Sequence, residues 1–129
     1  MGVNLSGSPF VGTLSLTNAA PGPAVFALFT SMGGAAYTLQ ANERLQITNI
    51  TVGSNDTTQR LITVDTGGAT PTKLVSGYTG GTSNPFPLLE SMQIGACRGV
   101  FGTPPRATAA AVTSGKTIEI IIKGFITKT

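Results

Sequence analysis

The sequence predicts an all-β fold: an antiparallel β-sandwich of the jelly-roll type with eight to ten strands. Short alternating or continuously apolar runs follow one another along the chain, and clusters rich in Gly, Pro, Asn and Ser separate them. No segment has the apolar spacing of a convincing amphipathic helix. Strands do not alternate with helical segments, which argues against a parallel α/β fold. We predict a single domain over residues 13–129, preceded by an extended N-terminal arm, residues 1–12.

The first half of the chain carries predicted strands at residues 13–17, 24–30, 37–39 and 42–52. The second of these, AVFALFT, is continuously apolar and is therefore predicted to be one buried strand. In the last, Leu45 and Ile47 share one face, whereas Ile50 and Val52 share the other. Because side chains alternate along a strand, this change of phase predicts a β-bulge or a bend near Thr48-Asn49.

The second half carries predicted strands at residues 59–65, 73–78, 88–89, 92–96, 107–113 and 116–127. The last one has the clearest pattern, since one of its faces is formed by Ile118, Ile120, Ile122, Gly124 and Ile126. This face is predicted to be the core side. Ser114-Gly115 is a turn pair, which predicts that residues 107–113 and the last strand form a β-hairpin. An immunoglobulin-like sandwich is the alternative architecture, but the chain lacks its Cys and Trp framework.

The opposite face of the last strand is mixed, and it leaves two hypotheses open. Ile121 and Phe125 lie there among Thr, Glu and Lys. They would contact either a second subunit or the opposite sheet of the same subunit. In the arm, Pro9, Phe10 and Val11 form the only apolar cluster, which is predicted to be mobile or to dock on a partner.

The low charge of the chain suggests an exterior that neighbours partly cover. Charged residues make up 10 % of the chain, against roughly 25 % in ordinary soluble domains. The other interpretation is a plain, Thr-rich β surface. The basic residues are dispersed and never adjacent, so we expect no nucleic-acid partner. No apolar run approaches the ~18 residues of a membrane span, so no membrane partner is expected.

The residue types needed for common catalysis are mostly missing. The sequence has no His and a single Cys, Cys97, which excludes a Ser-His-acid triad and a thiolate–imidazole metal site within one chain. Asp56 and Asp65 could form a glycosidase pair, or bind calcium together with Asn55, but loop carboxylates are more often turn formers. We therefore predict no enzyme, no catalytic residues, no cofactor and no metal. Cys97 is interpreted as a small buried apolar residue.

Three stretches carry a resemblance to a known class of proteins: ERLQITNITV, NPFPLLESMQIGA and TSGKTIEIIIKGFI. Together with the N-terminal arm, they resemble capsid decoration (cement) proteins of tailed bacteriophages and virion jelly-roll proteins of the tumour-necrosis-factor-like trimeric type. The resemblance lies in the succession of strands and loops over most of residues 37–127 and contains no invariant motif.

The resemblance implies a structural virion protein on the capsid surface. It implies a homotrimer that binds the major capsid protein and stabilises the shell. The candidate partner and subunit interface then consists of Pro9, Phe10, Val11, Ile121 and Phe125. The alternative hypothesis is a virion fibre tip or a carbohydrate-binding sandwich, whose site would be formed by the loops around Tyr78 and Phe86.

Overall fold

A computed structural model describes residues 8–31, 33–79, 86–89 and 97–128 of the chain. Its nine strands are β1 (Pro9–Thr17), β2 (Ala24–Val25), β3 (Ala27–Phe29), β4 (Glu43–Ser54), β5 (Leu61–Asp65), β6 (Lys73–Tyr78), β7 (Phe86–Leu89), β8 (Arg106–Ala109) and β9 (Thr117–Lys128). The described residues form no helix, and hence none that is long and apolar enough to cross a membrane.

The strands form two antiparallel sheets that pack as a sandwich. One sheet has the strand order β3-β1-β9-β4-β7, and the other has the order β2-β8-β5-β6. Apart from the three-residue edge strand β3, each sheet has four main strands. Among these eight main strands, β1 pairs with β9, β2 with β8, β4 with β7 and β5 with β6. This nested pairing is the jelly-roll arrangement, so the predicted fold class is confirmed.

Strand β9 lies at the centre of the five-stranded sheet, between β1 and β4. Ile118, Ile120 and Ile122 are fully buried, and Ile126 is 4 % exposed. They pack in one core with residues of the four-stranded sheet such as Ile62. Burying a side chain of this size stabilises the fold by about 1.5–3 kcal/mol. The predicted core face of the last strand is thus confirmed.

The predicted bulge lies in β4, opposite Gly124. Ile47 is paired with Gly124 and Asn49 with Lys123, so that Thr48 is the extra residue. At this point the two backbones approach closely, and a methyl group on Gly124 would overlap the carbonyl oxygen of Gln46. This contact explains why a glycine interrupts the row of isoleucines in β9.

The predicted hairpin between residues 107–113 and the last strand is wrong. Strand β8 pairs with β2 and β5, whereas β9 pairs with β1 and β4 in the other sheet. The Ser114-Gly115 turn does exist, with Gly115 at a φ of 81° and a hydrogen bond from Lys116 N–H to the Thr113 carbonyl. It joins the two sheets, because a turn signal specifies a reversal but not the partner of the next strand.

The apolar run of residues 24–30 is divided between the two sheets, so the prediction of one buried strand is also wrong. Strand β2 pairs with β8, and β3 pairs with β1. Phe26 lies between them and is 2 % exposed, whereas Val25 is 54 % exposed. The chain therefore changes sheets at Phe26. The strand predicted at residues 37–39 is absent, and only the preceding residue, Ala36, makes an isolated bridge, with Phe29.

The remaining differences concern strand ends. Residues 9–12 belong to β1, so a separate arm can include only residues up to 8. The strands predicted at residues 107–113 and 59–65 are shorter, and the strand at residues 73–78 matches β6. The strand predicted at residues 92–96 lies outside the described residues.

Candidate functional site

The candidate site is the outer face of the five-stranded sheet, meaning the side that points away from the four-stranded sheet. Cross-strand neighbours point to the same side of a sheet. Ile121 is paired with Thr13 of β1 and with Thr51 of β4. Phe125 is paired with Pro9 of β1 and with Gln46 of β4. Alternation from the buried isoleucines places Ile121 and Phe125 on the outer face, where both are half-buried.

This placement excludes one of the two hypotheses for Ile121 and Phe125. A side chain on the outer face cannot contact the opposite sheet of its own subunit. Contact with that sheet is therefore excluded, and contact with a second subunit stays a prediction.

The structure brings together four of the five predicted interface residues. Pro9 is exposed and Val11 is 7 % exposed, and both lie on the outer face beside Phe125 and Lys123 respectively. Phe10 points to the opposite side and is 1 % exposed, in the core. Because β1 alternates, the side chain of Phe10 points to the opposite side of the sheet from those of Pro9 and Val11.

An open groove of about 390 Å³ lies at this end of the outer face. Its lining is mostly apolar and includes Pro9, Val11, Thr48, Lys123 and Phe125. Such a groove can accept an apolar side chain and offers one cation beside it. Its described lining contains no carboxylate and no thiol.

Charged groups lie at separate positions on the outer face. Glu119 is exposed and accepts a hydrogen bond from the Ser15 hydroxyl at 2.8 Å. Lys123 is exposed, and Arg98 lies opposite Gln46 in a neighbouring segment. The ion pairs among the described residues are Asp56–Arg60, Asp65–Arg106 and Glu43–Lys128. The cations of the outer face are thus left without a carboxylate from the described chain.

An exposed apolar turn, which the sequence analysis did not identify, lies beside this face. Val100 is 49 % and Phe101 36 % exposed, and the Arg44 guanidinium lies 4.6 Å from the centre of the Phe101 ring. The Thr103 N–H donates to the Val100 carbonyl, and the Gly102 N–H donates to that of Glu43. The hydrogen bonds and the cation–π contact hold the aromatic ring in place at the edge of β4. The only sequence signal was an apolar pair inside a Gly- and Pro-rich loop.

The two loop carboxylates do not form a pair. Asp56 precedes β5 and Asp65 ends it, and each is bonded to its own arginine, at 3.1 Å for Arg60 and 3.2 Å for Arg106. Asp56 is fully buried, and hydrogen bonds from the backbone of Thr113 and from other donors hold its pKa well below the usual range. Both carboxylates therefore act as structural anchors. No group of three or more acidic or Cys side chains within the described ranges could hold a metal ion.

A third carboxylate, Glu43, is 3 % exposed at the start of β4. It accepts hydrogen bonds from the Tyr37 hydroxyl and from the Gln40 N–H, and Lys128 lies 3.7 Å away. The bond to Glu43 raises the pKa of Tyr37 to about 12, and the same bond lowers the pKa of Glu43. This cluster fixes the segment before β4 against the end of β9. The sequence analysis did not predict it: Tyr37, Gln40 and Glu43 are close together in the chain, but Lys128 comes from the end of the last strand.

The residues of the alternative carbohydrate site are only partly described. Tyr78 ends β6 and is 59 % exposed. Phe86 begins β7, and its side chain lies outside the described part of the structure. Cys97 is free and 6 % exposed, in agreement with its interpretation as a small buried apolar residue.

Two comparisons with known proteins find no relative of this chain. Neither the models of protein families nor the curated proteins contain a match to this chain.

Proposed function

We propose that this chain is a structural virion protein, a capsid decoration (cement) protein that binds and stabilises the capsid shell as a homotrimer. Its place is the capsid surface and its partner is the major capsid protein. The observation that carries the proposal is the outer face of the five-stranded sheet, where Ile121 and Phe125 are half-buried beside the exposed Pro9. The core between the two sheets, as far as the described residues form it, does not include these side chains.

The physical requirements of such a role agree with these features. A protein that clamps a shell needs contact area and closed symmetry more than it needs a reactive group. Subunit interfaces are richest in apolar and aromatic side chains at their centre and depleted of charge there. Phe125, Ile121 and Pro9 supply such a centre, and the low charge of the whole chain is consistent with a largely covered surface. The viral setting comes from the resemblance of the sequence to decoration proteins.

Two measurements on the full chain test this proposal. Light scattering at micromolar concentration is expected to give the mass of three chains. Co-sedimentation with empty shells assembled from the major capsid protein of the same genome is expected to carry the protein into the pellet. A monomer that stays in the supernatant would refute the proposal.

A carbohydrate-binding role is the second candidate, and the exposed ring of Tyr78 favours it. Sugar faces commonly stack on aromatic side chains. A glycan array would show binding that Tyr78→Ala abolishes. An array without signal, or unchanged binding by the variant, would remove this candidate.

A further inference from the structure

The outer face of β9 alternates apolar and charged positions in the order Glu119, Ile121, Lys123, Phe125. We propose that this face contacts the same face of a second copy, with the two β9 strands crossing so that Glu119 of one copy meets Lys123 of the next. The inference rests on the proposed homo-oligomer and adds the orientation of its subunits and the charges that set it.

The two charged residues cannot pair within one chain. They are four positions apart on one strand, which corresponds to about 13 Å at 3.3 Å per residue. Both are exposed. Among the described residues, Glu119 has only the Ser15 hydroxyl as a bonded side chain, and Lys123 belongs to none of the ion pairs. Neither charge is thus neutralised by an ion pair within the described part of the chain.

The surroundings of Glu119 leave room for a long cationic side chain. On β1 its neighbour is Ser15, and on β4 its neighbour is Gly53, which has no side chain. Ile121 separates Glu119 from Lys123 and is flanked by two threonines, Thr13 and Thr51. An apolar centre with an acid on one side and a base on the other allows the basic end of one copy to meet the acidic end of the next.

Two further cations strengthen the basic end of the face. Arg44 lies beside Thr127, and Arg98 lies beside Gln46, which is the neighbour of Phe125. Neither takes part in an ion pair within the described part of the chain. At the acidic end, Glu119 is the one carboxylate that the described strands place on this face. The face is thus polarised along β9, with positive charge at the Phe125 end.

This polarity determines how copies can be arranged. If the β9 strands ran along the symmetry axis, symmetry would place Glu119 next to Glu119 and Lys123 next to Lys123, and like charges would repel. If the strands run across the axis, the basic end of each copy meets the acidic end of its neighbour. A head-to-tail ring of three copies satisfies this condition.

Charge reversals on the full-length protein test the orientation by measuring the association constant. Glu119→Lys and Lys123→Glu are each expected to weaken self-association by at least about tenfold, because a favourable contact becomes a repulsive one. The double variant E119K/K123E inverts both ends, and its association is expected to return to near the wild-type value. Lys73→Glu, which changes an exposed cation on the other sheet, is the matched control and should have no such effect.

The outcomes separate this inference from the proposed function. A wild-type protein that is monomeric refutes the homo-oligomer itself. A wild-type oligomer whose mass and affinity are unchanged by either single reversal refutes only the crossed orientation. Association strengthened by Glu119→Gln and by Lys123→Gln would indicate strands along the axis and would also refute it. Far-UV circular dichroism of each variant, expected to match the wild type because both sites are exposed, shows that the fold is intact.

Discussion

At the scale of the residue, Asp56 shows how a polar group can hold two loops of a sandwich together. Its carboxylate accepts hydrogen bonds from Thr58 N–H at 3.0 Å, from Arg60 Nε at 3.1 Å, and from both the N–H and the hydroxyl of Thr113 at 2.8 Å. The carboxylate is fully buried, so on folding its oxygens exchange their hydrogen bonds to water for hydrogen bonds to these donors. The loop before β5 is thereby joined to the segment that follows β8.

Asp56→Asn is expected to lower the free energy of unfolding at pH 7 by about 3 kcal/mol. The NH2 group of the amide would face the N–H and O–H donors that the carboxylate accepts, and Arg60 would lose its charge partner. Urea denaturation measures this loss. Asp65→Asn, at a partly exposed carboxylate, is the control, with an expected loss of about 1 kcal/mol. Equal losses in the two variants would contradict the special role of Asp56.

The same residue predicts an acid dependence of stability. The folded-state pKa of Asp56 lies below its unfolded value of about 3.9. Its contribution is therefore complete above that unfolded value and is lost as the pH falls below it toward the folded pKa. Wild-type stability should decline more steeply between pH 5 and 3, taken as rough limits around the unfolded pKa, than that of Asp56→Asn. Parallel pH profiles would count against this assignment.

The sequence identified Asp56 only as a turn residue. Its main partner, Thr113, is 57 positions away. A carboxylate in a loop gives the same local pattern whether it faces water or a distant backbone N–H. Only the packing of the two loops distinguishes the two cases.

At the scale of the element, the bulge in β4 and Gly124 in β9 form one unit. The bulge was predictable, because the apolar positions of β4 change phase within the strand itself. The role of Gly124 was not predictable, since its close neighbour is the backbone of Gln46 on another strand.

Gly124→Ala is expected to destabilise the protein by about 2–3 kcal/mol, because the added methyl group overlaps backbone atoms that cannot rotate away. Chemical denaturation measures the change. Gly99→Ala is the matched control, because a Cβ there meets the Leu45 backbone only at ordinary contact distances of 3.6 Å or more. If Gly124→Ala were as stable as the control, the close approach at the bulge would be disproved.

The strand connections were less predictable than the strands. A local turn pair such as Ser114-Gly115 is compatible both with a hairpin and with a crossing between sheets. The apolar run around Phe26 is likewise compatible with one buried strand and with two short strands in different sheets. In both cases the pairing depends on residues far along the chain, which local periodicity does not contain.

At the scale of the whole molecule, the two faces of the five-stranded sheet carry different residues: the inner face contributes to the core, and the outer face carries the proposed subunit contact. Phe10 and Phe125 illustrate the difference. They lie on neighbouring strands of one sheet, but Phe10 is in the core and Phe125 is half-buried on the outer face.

Phe125→Asp is therefore expected to dissociate the oligomer into monomers that keep the β-sheet circular dichroism and a cooperative unfolding transition. The variant removes the apolar contact of the Phe125 ring and places a charge in the interface, where it loses its hydration. Phe10→Asp, which places the charge in the core, is the contrasting variant and should unfold the domain. Light scattering and thermal unfolding measure both effects. A Phe125→Asp protein that is unfolded, or one that stays oligomeric, would contradict the assignment of this face.

The sequence by itself determined the all-β class, the core face of β9 and the bulge near Thr48, because alternation and its interruption are local properties of a chain. It also placed Ile121 and Phe125 on the face of β9 opposite the isoleucine row, among Thr, Glu and Lys. Only the tertiary structure decided that this face points away from the second sheet, that Phe10 is separated from Pro9 and Val11, and that Asp56 binds Thr113. These facts depend on which strands and loops become neighbours, and that choice is made by the packing of the whole sandwich.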